Sequence, residues 1–164
     1  MKTKINIILI VLTFVSCTSF GKSDGYDKFY KIYKKHNTVI NFDIPTVILG
    51  IYLNYNGEKE LSKFIKKSDD FKIFRAKGSK TYFLPILNEY LPDDTYKDNI
   101  IVKEPGSIVT FKTKEAENVI TEIILIVEEG NDLTAISIKG KFTANELIEY
   151  INTLDVGKVT DTRH

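Results

Sequence analysis

The chain has 164 residues, with 23 Lys+Arg, 22 Asp+Glu and a single Cys. This length predicts one domain with its own core, because domains most often hold about 100–150 residues. The net charge of +1 lacks the basic excess that a nucleic-acid partner requires, and one Cys excludes an internal disulfide. The composition is that of an ordinary globular chain and indicates no particular activity.

The N-terminus has the pattern of an export signal. Lys2 and Lys4 precede an apolar run over residues 5–15, and Ser16 and Cys17 follow it. The run is too short to span a bilayer, which takes about 20 residues, but it fits the apolar region of a secretory signal. We therefore expect residues 1–16 to be removed as a signal peptide.

The residues before the cysteine indicate how the exported chain is held. Residues 14–17, Phe-Val-Ser-Cys, resemble a bacterial lipobox, although Phe14 replaces the usual Leu. The resemblance implies that Cys17 is the lipidation site, carrying acyl chains such as palmitate. The residues after Cys17 lack the acidic cluster that marks surface export in the lipoproteins this segment resembles, so we expect an anchor in the outer membrane facing the periplasm. Residues 17–23 would then be a flexible tether. The alternative is cleavage near Ser19 or Gly21, which gives a soluble periplasmic or secreted protein.

An aromatic stripe predicts the first helix, over residues 24–35. Tyr26, Phe29, Tyr30 and Tyr33 recur at helical spacing, with lysines on the remaining arc. Such a stripe is typical of a helix that packs on a core. A second hypothesis treats these four side chains as an interaction surface, which beside a lipid anchor would rest on the membrane.

The middle of the chain alternates short helices and strands. We predict a strand over residues 38–42, a short helix around Leu61, Phe64 and Ile65, a strand over residues 71–76, and a helix spanning Tyr82 to Leu91 that Pro85 kinks or delays. Residues 44–53 stay open between helix and strand. Their Val, Ile and Tyr content favours a strand, whereas Pro45 suits the first turn of a helix.

Four β-rich runs follow, at residues 99–103, 107–113, 119–128 and 133–139. Their connections are too short for parallel crossovers, so they predict an antiparallel meander. The third run is apolar on both faces and is expected at the centre of the sheet.

The last predicted helix begins with a capping box and precedes a polar tail. Thr143 and Glu146 have the spacing at which hydroxyl and carboxylate satisfy each other's backbone donors, and Gly157 is placed to end the helix. Residues 24–157 are therefore expected to form a single α+β domain before a polar tail over residues 158–164. Its C-terminal four-stranded antiparallel meander, with one or two N-terminal strands, would pack with four to five helices.

The order of these elements resembles a family of Bacteroidetes lipoproteins known as domain of unknown function 4252. The resemblance is carried by residues 25–30, Gly-Tyr-Asp-Lys-Phe-Tyr, and by residues 133–140, Leu-Thr-Ala-Ile-Ser-Ile-Lys-Gly, which lead into the last helix. It covers roughly residues 24–154. It implies an envelope location and a small α+β domain, and it supplies no catalytic residues.

Few side chains suit catalysis. His36 is the only internal histidine and is typical of a solvated helix end, and Cys17 is assigned to the lipid. The acid pairs at residues 69–70, 93–94 and 128–129 fall at predicted element boundaries, where turn chemistry explains them. We therefore predict no catalytic residue, no cofactor, no metal site and no enzyme activity.

Two functions remain. The first is a lipid-anchored cell-envelope protein that serves as a non-catalytic interaction or structural domain, held at the membrane by its lipid and partnered by another envelope protein. The second is a periplasmic carrier of a small molecule or lipid. Its apolar pocket would lie between the sheet and the helices and would be lined by Ile48, Leu49, Phe64, Phe83 and Leu87.

Overall fold

The computed structural model describes residues 25–153. The predicted signal peptide, the tether with Cys17, Gly157 and the polar tail lie outside the described residues. In chain order the elements are α1 (Gly25–Tyr33), β1 (Val39–Asp43), α2 (Thr46–Tyr55), α3 (Lys59–Lys66), β2 (Ser68–Ala76), α4 (Lys80–Tyr90), β3 (Lys97–Glu104), β4 (Ser107–Ala116), β5 (Val119–Glu129), β6 (Asp132–Phe142) and α5 (Ala144–Thr153).

The strands form one six-stranded antiparallel sheet in the order β1-β2-β6-β5-β4-β3. The last four strands are a meander in which each strand pairs with the next, and β2 joins this meander along β6. The predicted α+β fold class is therefore confirmed. β5 lies inside the sheet, as its apolar sequence indicates, and its side chains are buried on both faces from Glu122 to Ile126.

Helices cover both faces of this sheet and enclose two separate cores. On the first face, α1 and α4 pack around Phe29, Phe74 and Phe83, and the rings of Phe29 and Phe74 are 4.8 Å apart. On the second face, α2, α3 and α5 pack on the sheet, and Phe64 stacks on Phe142 at 4.7 Å. Alternate residues of each strand supply the two cores.

The structure decides the open segment and differs in detail from two predicted elements. The ambiguous segment is the helix α2, which starts directly after Pro45, whose φ of −56° suits a helix entry. The helix α4 contains Pro85 and begins at Lys80, so the expectation of a late start is wrong. The strand β2 begins at Ser68, so the first acid pair lies within the strand and not before it.

Glycines form the turns of the meander, and the predicted cap is confirmed. Gly106 has φ +89° and Gly130 has φ +57°, the left-handed region that glycine adopts without a Cβ penalty. The backbone N–H of Thr143 donates to Glu146 Oε2 at 2.9 Å, and the backbone N–H of Glu146 donates to Thr143 Oγ1 at 3.3 Å. α5 therefore begins with the expected capping box.

Candidate functional site

The aromatic stripe of α1 belongs to the first core. Tyr26, Phe29 and Tyr30 are buried, and Tyr33 packs against the same cluster. The hydroxyl of Tyr26 donates a 2.7 Å hydrogen bond to the carbonyl oxygen of Ala135, and burial raises the pKa of this phenol well above its usual value. The hypothesis that these side chains form an interaction surface is therefore wrong. Their packing holds α1 on the sheet.

The pocket predicted from five apolar residues is not formed either. Phe83 and Leu87 belong to the first core, whereas Leu49 and Phe64 belong to the second, so the sheet separates them. Ile48 is exposed. The sequence could not show this division, because it depends on which face of the sheet each helix covers.

The helix α2 exposes a row of apolar side chains. Because successive helical residues are rotated by about 100°, the exposed ones span an arc of about 140° on one side of the helix. No residue of α2 is charged. This row, here named the α2 surface, consists of five residues that are 61–89% exposed: Val47, Ile48, Ile51, Tyr52 and Tyr55.

The opposite side of α2 is held by the second core and by α3. Leu49 and Leu53 pack against the core, and the buried Ser62 donates a 2.7 Å hydrogen bond from its Oγ to the carbonyl oxygen of Gly50. The aliphatic stem of Lys66 lies over Gly50, so closely that a Cβ there would stand 2.8 Å from Lys66 Cγ. These contacts orient α2 with its apolar row outward.

The edge strand β1 adds apolar side chains on the same face of the sheet. Ile40 and Phe42 are both about half exposed. Phe42 is paired in register with Ile73, which packs on the second core. Directly paired residues share a face, so Phe42 lies on the face that α2 covers.

Lysines on α3 flank the α2 surface. Lys59, Lys63 and Lys66 are spaced four and three residues apart, which places them on one exposed side of α3. Ser62 and Lys66 both contact Gly50, so this basic side adjoins α2. Lys67 forms an ion pair with Glu146 at the start of α5.

A cleft of about 410 Å³ opens beside α4 on the first face of the sheet. Lys112 forms part of its lining, with its side chain only 8% exposed and its Nζ 2.7 Å from Asp98 Oδ1 and 3.2 Å from Asp93 Oδ1. Partial desolvation acts to lower the pKa of Lys112, but the two carboxylates raise it, so the lysine is charged. The other lining residues are Leu84, Asn88, Leu91, Pro92, Ile101, Thr110, Ile126 and Glu128.

A buried carboxylate on β5 is satisfied within the first core. Glu122 is 2% exposed, accepts a 2.9 Å hydrogen bond from the hydroxyl of Tyr96 and accepts a 2.7 Å hydrogen bond from Ser137 Oγ. Both carboxylate oxygens have a donor, which is the condition for burying such a group. These three side chains are closed to solvent, so we assign their hydrogen bonds a structural role.

The remaining candidate residues are dispersed. His36 follows α1 on the surface, with Nδ1 3.0 Å from Thr38 Oγ1 and its ring 5.9 Å from Tyr82. Of the acid pairs, Asp93 and Glu128 line the cleft, whereas Asp70 pairs with Lys72 elsewhere.

Two kinds of site are absent from residues 25–153. No group of three or more His, Cys, Asp or Glu side chains there is arranged to hold a metal ion. Within the same residues, no helix has both the length and the apolar character needed to cross a membrane.

The chain matches the family described as Domain of unknown function (DUF4252) over residues 33–150 and belongs to that family. The match begins at the last residue of α1 and includes both the α2 surface and the cleft, whereas Cys17 precedes it. No curated protein and no solved structure matches the chain.

Proposed function

We propose that this protein is a lipid-anchored cell-envelope protein whose domain is a non-catalytic interaction module, with the α2 surface as its binding face. The observation that carries the proposal is the exposure of five apolar side chains on a helix without a charge. Large contiguous apolar patches are rare on soluble monomers and commonly mark interaction sites.

The predicted anchor supports the same function. Cys17 stands eight residues before Gly25, where α1 begins. Fully extended, this segment reaches at most about 28 Å, so an acylated Cys17 would keep the domain close to the membrane. Tethering raises the local concentration of any membrane partner and so permits a modest binding surface to act.

The anchor is tested by comparing the wild-type chain with Cys17→Ala. Intact-mass analysis should find acyl chains on the wild type and none on the variant, and a larger share of the wild type than of the variant should stay in the membrane fraction. A wild-type chain without acyl mass, with both chains equally membrane-bound, would overturn the lipid anchor.

The binding face is tested by site-specific photocrosslinking in intact cells. A photoreactive side chain at Tyr55, on the α2 surface, should give adducts with its membrane partner, whether that partner is lipid or protein. The matched control is Tyr82, an exposed tyrosine of α4 on the first face of the sheet. The same adducts at both positions, or none at Tyr55, would contradict the assignment of α2 as the binding face.

A second candidate function is a small-molecule carrier that uses the cleft. Its volume of about 410 Å³ lies within the range of ligand sites, about 300–1,000 Å³, and its lining combines apolar and charged side chains. Native mass spectrometry of gently purified protein should then show a retained ligand. Asn88→Trp, which obstructs the cleft, should lose it, whereas Thr81→Trp on the same helix should keep it. Absence of any ligand from the wild type would remove this candidate.

A further inference from the structure

The geometry points to a lipid bilayer as the partner of the α2 surface, with α2 lying along the membrane interface. This inference rests on the proposed function, since the anchor at Cys17 would bring the domain to the membrane. It names the chemistry of the partner, an apolar layer beneath anionic headgroups, and it makes α2 a second, non-covalent contact beside the lipid.

The composition of α2 suits the interface of a bilayer. Val47, Ile48 and Ile51 offer aliphatic side chains, and Tyr52 and Tyr55 follow at the C-terminal end of the helix. Tyrosine is favoured at membrane interfaces because its ring is apolar and its hydroxyl stays hydrated. A helix of ten residues is about 15 Å long, half the thickness of the hydrocarbon core. α2 is therefore suited to lie along the surface and not to cross it.

The charges beside α2 complement a membrane surface. The segment 58–67 carries four lysines against two glutamates, and Lys59, Lys63 and Lys66 share its exposed side. The stem of Lys66 packs on Gly50, so this lysine lies beside α2, and a lysine whose stem covers apolar surface keeps its ammonium group in water or at headgroup level. Asp43, the acid of β1, has its Oδ2 3.8 Å from Lys34 Nζ.

The same lysines favour lipid over a protein partner. Lysine is depleted in protein–protein interfaces, whereas an apolar helical face flanked by lysines is the usual pattern of interfacial membrane binding. The exposed Ile40 and Phe42 of β1 lie on the same face of the sheet and enlarge the apolar area available to the bilayer.

The test uses the absence of tryptophan from this chain. Tyr55→Trp and the matched control Tyr82→Trp each introduce a single fluorophore at an exposed tyrosine. The purified full chain, acylated and also as Cys17→Ala, is mixed with vesicles of phosphatidylcholine and phosphatidylglycerol, with and without acyl-chain bromination. The emission at position 55 should shift to shorter wavelength and be quenched by the brominated lipid, whereas the emission at position 82 should not change.

The outcomes separate this inference from the proposed anchor. An acylated, vesicle-bound chain whose position 55 stays water-exposed overturns the docking of α2 and leaves the anchor intact. Quenching in the Cys17→Ala chain supports docking even where intact mass shows that the wild type carries no acyl chain. Equal quenching at positions 55 and 82 overturns the lipid assignment. The assignment is also overturned if native membranes shield position 55 from water and protein-free vesicles do not.

Discussion

Ser62 Oγ of α3 donates a 2.7 Å hydrogen bond to the carbonyl oxygen of Gly50 in α2. Ser62 is buried, and Gly50 permits the close approach because it has no side chain. The bond fixes the side of α2 that faces α3. Since Ile51 and Tyr55 lie on a different side of the helix, the same contact keeps them exposed.

The first prediction concerns this helix pair. Ser62→Ala should lower the free energy of unfolding by about 1–3 kcal/mol, because the buried carbonyl of Gly50 loses its added donor. Urea unfolding measures the change. Ser79→Ala is the control, since its Oγ bonds the carbonyl of Lys77 on the surface and should matter by less than about 0.5 kcal/mol. Equal losses in both variants would contradict the role of the interhelical bond.

The second prediction concerns the buried carboxylate of Glu122. Tyr96→Phe and Ser137→Ala each remove one donor from a buried carboxyl group, so each should cost about 1–3 kcal/mol of unfolding free energy. The two effects should not be additive, because both donors serve one carboxylate. A double-mutant cycle by urea unfolding measures the coupling, and strictly additive losses would contradict a shared network.

The third prediction concerns acid stability. Partial burial acts to raise the pKa of Asp27, but hydrogen bonds from Lys139 and Lys72 lower it below its ordinary value of 3.8. A lowered folded-state pKa contributes stability that is present above the unfolded value and lost as pH falls through the folded one. The free energy of unfolding should therefore decline as pH falls below about 4.

Asp27→Asn provides the comparison for this pH dependence. The variant should be less stable than the wild type at neutral pH, and the difference should narrow as pH falls from about 5 to about 2. Urea unfolding at each pH measures the difference. A difference that stays constant across this range would show that the charge of Asp27 is not what stabilises the fold.

The fourth prediction concerns the start of α5. Thr143→Ala removes the hydroxyl that accepts from the backbone N–H of Glu146, so it should cost about 1 kcal/mol. Thr81→Ala, at an exposed position within α4, is the control and should cost nothing, because alanine is the better helix former. Thermal unfolding of the two variants distinguishes them, and equal midpoints would contradict the cap.

Much of the fold could be predicted because its signals are local. The β-rich runs of the C-terminal half, the short connections between them, and the spacing of Thr143 and Glu146 each act within a few residues of the chain. The core side of α1 was also readable, since its four aromatic side chains recur at helical spacing on one side of the helix. These local preferences favour the same elements as the tertiary packing, so the folded chain contains the elements that they predict.

The candidate site could not be predicted in the same way. α2 is apolar on all sides, so no periodicity shows which residues face outward, and the answer depends on the packing of α3 against Gly50. The cleft and the environment of Glu122 likewise depend on contacts between distant elements. Tyr96 and Ser137 are 26 and 15 residues away from Glu122 and meet it only when the sheet has formed.

The most direct test of the central claim, that α2 docks on the membrane, compares Ile51→Asp with Ile32→Asp in the Cys17→Ala chain. Both isoleucines are more than half exposed, so both variants should keep the free energy of unfolding within about 0.5 kcal/mol. Flotation with phosphatidylcholine–phosphatidylglycerol vesicles should show about a tenfold loss of binding for Ile51→Asp and no loss for Ile32→Asp, since only the first removes an apolar contact with lipid. Equal vesicle binding by the two variants would contradict the account.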